Sequence, residues 1–129
     1  MSDRPPRTHW ELAALLALPV YWVLLFVATH YPSVQIPTKI EYRDKVIHFT
    51  AFGLLALLYW SFVRARGPLG GRFVWVTGGV LIVYAAIDEY LQQFFGRHTD
   101  IMDYLANVAG ISVALIVLEL RRRRAVRAG

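Results

Sequence analysis

The chain has 129 residues, enough for one domain at most, and with no cysteine it can hold neither a disulfide nor a thiolate zinc site. It is 57% hydrophobic and 14% aromatic, with a mean hydropathy of +0.42 that lies outside ordinary soluble usage. The formal net charge is +5, but the basic residues flank apolar runs instead of lining a polar surface, which reads as membrane topology and argues against nucleic acid as a partner.

Met1 to His9 is short, polar and basic, with Arg4, Arg7 and the pair Pro5-Pro6. Leu12 to Ala28 carries no charge and is framed by Trp10 and His30-Tyr31, so a first span is predicted over about 10–30. A signal peptide opens in the same basic-then-apolar order. Here the apolar run is long for one and no small-x-small cleavage site follows Ala28, so the span is expected to be retained. Pro19 is expected to kink it.

Pro32 to Arg43 reads as a connector with mixed charge. A second span is predicted over about 44–64, apolar from Val46 to Val63 apart from His48 and a few small polar residues. Arg64 to Arg72 is a basic turn rich in Gly and Pro. The third span is predicted over 73–95, apolar to Ile87 and polar beyond it. Gly96 to Asp100 makes a tight turn, and a fourth span over about 101–120 leads into Arg121 to Arg124 and Arg127. No internal repeat occurs. The expected fold is a single all-α domain, a polytopic membrane protein built as a four-transmembrane-helix bundle.

Orientation follows from the asymmetry of Lys and Arg in short loops. Ten basic residues fall on the side of the N-terminus, the middle turn and the C-terminus; four (Lys39, Arg43, Lys45 and Arg97) fall on the other. Both termini are therefore expected in the cytoplasm. On this reading the four-Arg run is a stop signal and an anchor for anionic inner-leaflet lipids. Trp10, Trp60 and Trp75 are expected in the interfacial aromatic belts.

That topology brings polar residues from three spans to one depth near the outer surface. Asp44 and His48 lie four apart and share a helix face. Asp88 with Gln92, and Glu89 with Gln93, are spaced likewise. Asp100, Asp103 and Asn107 stack on one side of the fourth span, where Gly110 and Ala114 permit close approach to a neighbour. The first span is expected to contribute nothing to this layer. Ionisable groups within a span cost roughly 2.5–3.5 kcal/mol each, so they face one another or a wet cleft and mark a functional site. Each also has a plainer reading: Gln92, Gln93 and Asn107 as interhelical glue, His48 as a satisfied structural histidine, Asp44-Lys45 as a helix-terminal acid beside a snorkelling lysine. Adjacent Asp88 and Glu89 need a cation, a proton or a strong donor. Arg97 is both their obvious counter-charge and an obvious phosphate fork.

Three motifs occur in order: D-K-x-x-H-F-x-x-F-G from Asp44 to Gly53, D-E-x-x-Q from Asp88 to Gln92, and G-R-x-x-D-x-x-D-x-x-x-N-x-x-G from Gly96 to Gly110. Together they resemble the VanZ-like family of small bacterial membrane proteins, over about 44–118. Phe95 departs from a proline expected before Gly96-Arg97, which bears on the shape of the turn. The resemblance implies a link to low-level teicoplanin resistance, and a grouping with membrane enzymes proposed to act on lipid headgroups or lipid-linked cell-wall intermediates.

Two functions fit these residues. The first is an enzyme for a phosphate-bearing lipid or lipid-linked precursor, with His48 as general base or nucleophile oriented by Asp44. Asp88 and Glu89 then join the catalytic centre. With Asp103 they hold a divalent cation, Mg²⁺ or Ca²⁺. Arg97 clamps the phosphate, and Gln92, Asp103 and Asn107 bind the headgroup. The second is a non-catalytic binding or assembly protein whose polar network is a ligand pocket or helix-packing glue. Four spans whose polar residues stop in one half leave no evident transport path.

Overall fold

A computed structural model describes residues 8–31, 41–68 and 70–128. These form four α-helices: α1 His9–His30, α2 Glu41–Arg64, α3 Phe73–Gln92 and α4 Ile101–Ala128. A 3-10 turn, Gln93–Phe95, extends α3. Each helix is long and apolar enough to cross a membrane. In hydrocarbon every backbone N–H and C=O needs a partner within its own segment, which is why uncharged runs of this length become helices.

The bundle runs up, down, up, down. Residues at the ends of α1 and α3 meet the starts of α2 and α4 at one pole. At the other pole the end of α2 meets the start of α3, with Trp60 edge-on to Phe73 at 5.4 Å between ring centres. α2 packs most extensively on α4 and also touches α1 and α3. Leu18, Leu25, Phe52, Leu55, Ala56, Leu81, Ala85, Ile111 and Leu115 fill the centre. Outward-facing Leu, Val and Ile on every helix remain exposed, as a bundle bathed in acyl chains requires.

Two glycines set the shape of the polar pole. A Cβ on Gly110 would run into the Phe49 carbonyl oxygen, and a Cβ on Gly53 would lie 3.3 Å from the Gly110 oxygen. α2 and α4 thus touch backbone to backbone at this level. Gly96 takes φ +74°, in the left-handed region, and turns the chain from α3 toward α4. The turn closes there without a proline at position 95.

Several boundaries differ from the sequence reading. α2 begins at Glu41, so Arg43 is helical; Lys39 and most of the Pro32–Arg43 connector lie outside the described residues. α4 runs on through the Arg run to Ala128, because Glu119 gives that segment an internal anion. Its carboxylate accepts from Arg122 at 2.7 and 2.8 Å and from Arg123 at 2.7 Å. Trp10 and Trp75 are exposed, whereas Trp60 is buried against Phe73.

Candidate functional site

The polar residues divide into two groups joined by one bridge. The first lies between α2 and α4. His48 and Asn107, both buried, face each other with Nδ1 3.0 Å from the Asn107 Oδ1. This contact fixes the plane of the imidazole and holds Nδ1 against α4. Nε2 points at two carboxylates, with Asp103 Oδ2 at 3.7 Å and Asp44 Oδ1 at 3.9 Å. The other Asp103 oxygen accepts from Lys45 Nζ at 3.2 Å, and the same ammonium donates to Asp100 Oδ2 at 3.1 Å.

Asp100 caps α4. Its Oδ1 accepts the Met102 N–H at 2.8 Å, and its carbonyl takes the Asp103 and Tyr104 N–H groups. The Met102 N–H and the Lys45 ammonium together hold its carboxyl below the usual carboxylate range. This capping role is set by the turn geometry rather than by the shared helix face read from its spacing.

The second group lies between α1 and α3 and is centred on Asp88, which is fully buried. Its carboxylate accepts from Thr29 Oγ1 at 3.2 Å, Tyr84 Oη at 3.3 Å and Gln92 Nε2 at 3.2 Å. His30 Nδ1 stands 3.7 Å away and donates to the Phe26 carbonyl at 2.9 Å. His30 Nε2 is buried and has no partner among the described residues. Glu89 makes the bridge, accepting the Asp100 N–H at 2.7 Å through Oε1, while its buried Oε2 has no partner among the described residues.

The layer expected from the sequence therefore exists, and Asp44, His48, Asp88, Glu89, Gln92, Asp103 and Asn107 all lie at the same pole. Four readings need correction. α1 does contribute, through Thr29 and His30, because its last turn ends at the depth where Asp88 needs donors. The signal was present in Thr29-His30 at the end of the first span, where His30 passed for an interfacial residue. Arg97 is not the counter-charge of Asp88 or Glu89: its guanidinium donates to the Thr29 carbonyl at 3.1 Å. Gln93 faces outward and donates to the Tyr90 carbonyl at 2.8 Å, since the 3-10 turn rotates it off the inner face. Lastly, Asp88 spends its oxygens on Thr29, Tyr84 and Gln92. The residues that bring metal-ligating atoms together among those described are Asp44, His48 and Asp103, not Asp88, Glu89 and Asp103.

Beside His48 a cavity of about 310 Å³ opens between α1 and α2. Thr29, Asp44, His48 and Arg97 line its polar end, and Leu25 and Phe52 are part of its apolar wall. Tyr21 also lines it and donates to the Ala51 carbonyl at 2.8 Å.

Four apolar spans with such a pocket between two of them define a multi-pass integral membrane protein with an amphipathic site at one pole. The comparisons with known proteins make this more specific. The model of the VanZ/LLP1 family matches residues 7–122, and the chain belongs to that family. It is also similar to a Schizosaccharomyces pombe protein named "Uncharacterized protein C11E3.10", at 32% identity over 126 residues covering 93% of this chain and 72% of the other. No solved structure matches it significantly.

Proposed function

We propose that the chain holds the phosphate-bearing headgroup of a membrane lipid, or of a lipid-linked envelope intermediate, in the cavity between α1 and α2. The observation that carries this reading is the cavity's mixed wall: Arg97, His48, Asp44 and Thr29 at one end, Leu25 and Phe52 along the side. An arginine offers paired N–H donors matched to a phosphate, and the apolar wall suits the first carbons of an acyl or prenyl chain. The similarity reaches a yeast protein. That favours a ligand class which yeast membranes also contain over one confined to the bacterial wall.

In this reading the pole carrying Asp44 and Asp100 faces outward, and both termini lie in the cytoplasm of a bacterial inner membrane. Arg124 and Arg127, beyond the pair that Glu119 engages, meet anionic lipid. Asp88 serves as a clamp between α1 and α3, and the chemistry belongs to the His48 group. The link to teicoplanin resistance follows if an acylated glycopeptide or its lipid-linked target occupies the same pocket.

The test is a binding screen of the full chain in nanodiscs against phospholipids and polyprenyl phosphate, with and without divalent cation. Selective retention of phosphate-bearing lipids over diacylglycerol is expected, weakened by Arg97→Ala. If the chain is an enzyme, His48→Ala retains lipid but abolishes turnover; in a pure binder His48→Ala has little effect. Equal retention of neutral and phosphorylated lipids would sink the proposal.

A further inference from the structure

We propose that Asp44, His48 and Asp103 form a binding site for one divalent transition-metal ion, of the Mn²⁺ or Zn²⁺ class. Three observations converge on it. One oxygen from each aspartate and a ring nitrogen of His48 lie within 4.8 Å of one another. Donors about 2.1 Å from a tetrahedral ion stand about 3.4 Å apart, so the observed 3.7 and 3.9 Å separations need only small side-chain rotations to close on one. The three come from one turn of α2 and the first turn of α4. Those helices are locked together by the backbone contact at Gly110, so the donors are preorganised.

The second observation is the setting of the histidine. Asn107 engages Nδ1, and Nε2 faces the carboxylates of Asp103 and Asp44. His48 is 5% exposed, and among the described residues Nε2 has no hydrogen-bond partner. A cation between that nitrogen and the two carboxylates would offset their negative charge. An imidazole whose other nitrogen is fixed by a neighbour is also the usual arrangement of a metal-bound histidine.

The third is charge. Asp44, Glu89, Asp100 and Asp103 gather here, and Lys45 is the cation paired among them. Lys45 engages Asp103 through Oδ1 and leaves Oδ2 to face His48. A divalent ion would offset most of the remaining negative charge. One nitrogen and two carboxylate oxygens suit Mn²⁺ or Zn²⁺ better than Ca²⁺ or Mg²⁺, which prefer all-oxygen shells. Three protein ligands leave coordination positions open. Asp44 and His48 also line the cavity, so a phosphate oxygen placed there reaches the ion.

The inference deepens the proposed function at the same site and rests on it for the role of the ion, but ion binding is measurable without lipid. The full chain in detergent is stripped with chelator and titrated with Mn²⁺ by electron paramagnetic resonance, and with Zn²⁺ by calorimetry. One ion per chain is expected for at least one of the two metals. Asp44→Asn, whose side chain is half exposed and tolerates substitution, should weaken it roughly tenfold or more, as should His48→Ala; Asp88→Asn should leave affinity unchanged. Absence of binding by folded wild type at millimolar Mn²⁺ and Zn²⁺ would overturn the inference. So would wild-type affinity in Asp44→Asn, or loss of the ion in a folded Asp88→Asn variant. Ion binding without lipid selectivity would refute the lipid reading and leave the metal site standing. Lipid selectivity without ion binding would do the reverse.

Discussion

Replacing Gly110 with alanine is the sharpest probe of how the site is held together. The added Cβ would collide with the Phe49 carbonyl oxygen and lie 3.1 Å from the Gly53 nitrogen. Both are backbone atoms, so no side chain can swing aside; α4 must move from α2 by about 1 Å to restore ordinary contact. Overpacking of this kind costs about 1–3 kcal/mol. Alanine regains about 1 kcal/mol of helix propensity over glycine. The same displacement stretches the 3.0 Å bond between His48 and Asn107, one turn away, and forfeits about 1 kcal/mol more. The net expectation is a loss of about 2 kcal/mol. Unfolding in mixed micelles titrated with dodecyl sulfate, followed by tryptophan fluorescence, reads this directly. Gly79→Ala is the matched control, since a Cβ there meets nothing within 4 Å and should leave stability unchanged or slightly raised. A folded Gly110→Ala chain as stable as wild type would refute the close approach of α2 and α4, and with it the preorganisation of His48 against Asp103.

Asp88→Ala should destabilise by about 2–4 kcal/mol in the same assay, because it strands the Tyr84 and Gln92 donors in a water-poor layer, while Thr29 can fall back on the Phe26 carbonyl; Thr29→Val, which removes one donor, should cost less. The depressed Asp100 carboxyl contributes stability that is fully present above its unfolded value of about 3.9 and is lost as pH falls through the lower folded value. Asp100→Asn, which keeps a capping oxygen but not the Lys45 pair, should flatten that acid limb, and an unchanged pH profile would contradict the assignment. The chain has no cysteine, so single cysteines report topology cleanly. In intact bacterial cells a membrane-impermeant maleimide should label His98→Cys, beside the polar pole, and spare Gly67→Cys at the basic pole until lysis; the opposite pattern would invert the orientation.

The amino-acid sequence determined the number of spans, their order and the pole at which the acids gather. Uncharged runs of bilayer length have one way to satisfy their backbone in hydrocarbon, and an even number of crossings fixes which ends share a face. It also marked Asp44, His48, Asp88, Glu89, Gln92, Asp103 and Asn107, since ionisable and amide groups stand out against apolar surroundings. Only the tertiary structure decided how these residues divide. Adjacent Asp88 and Glu89 read as a unit along the chain. Across helices, however, one turns to Thr29 and Tyr84 while the other turns to the Asp100 amide. Thr29 and His30 stayed hidden because a Thr and a His at the end of a span look interfacial until a partner helix is placed beside them. The Asp44–His48–Asp103 group depends on α2 and α4 meeting at Gly110, a distance that no spacing within either helix encodes.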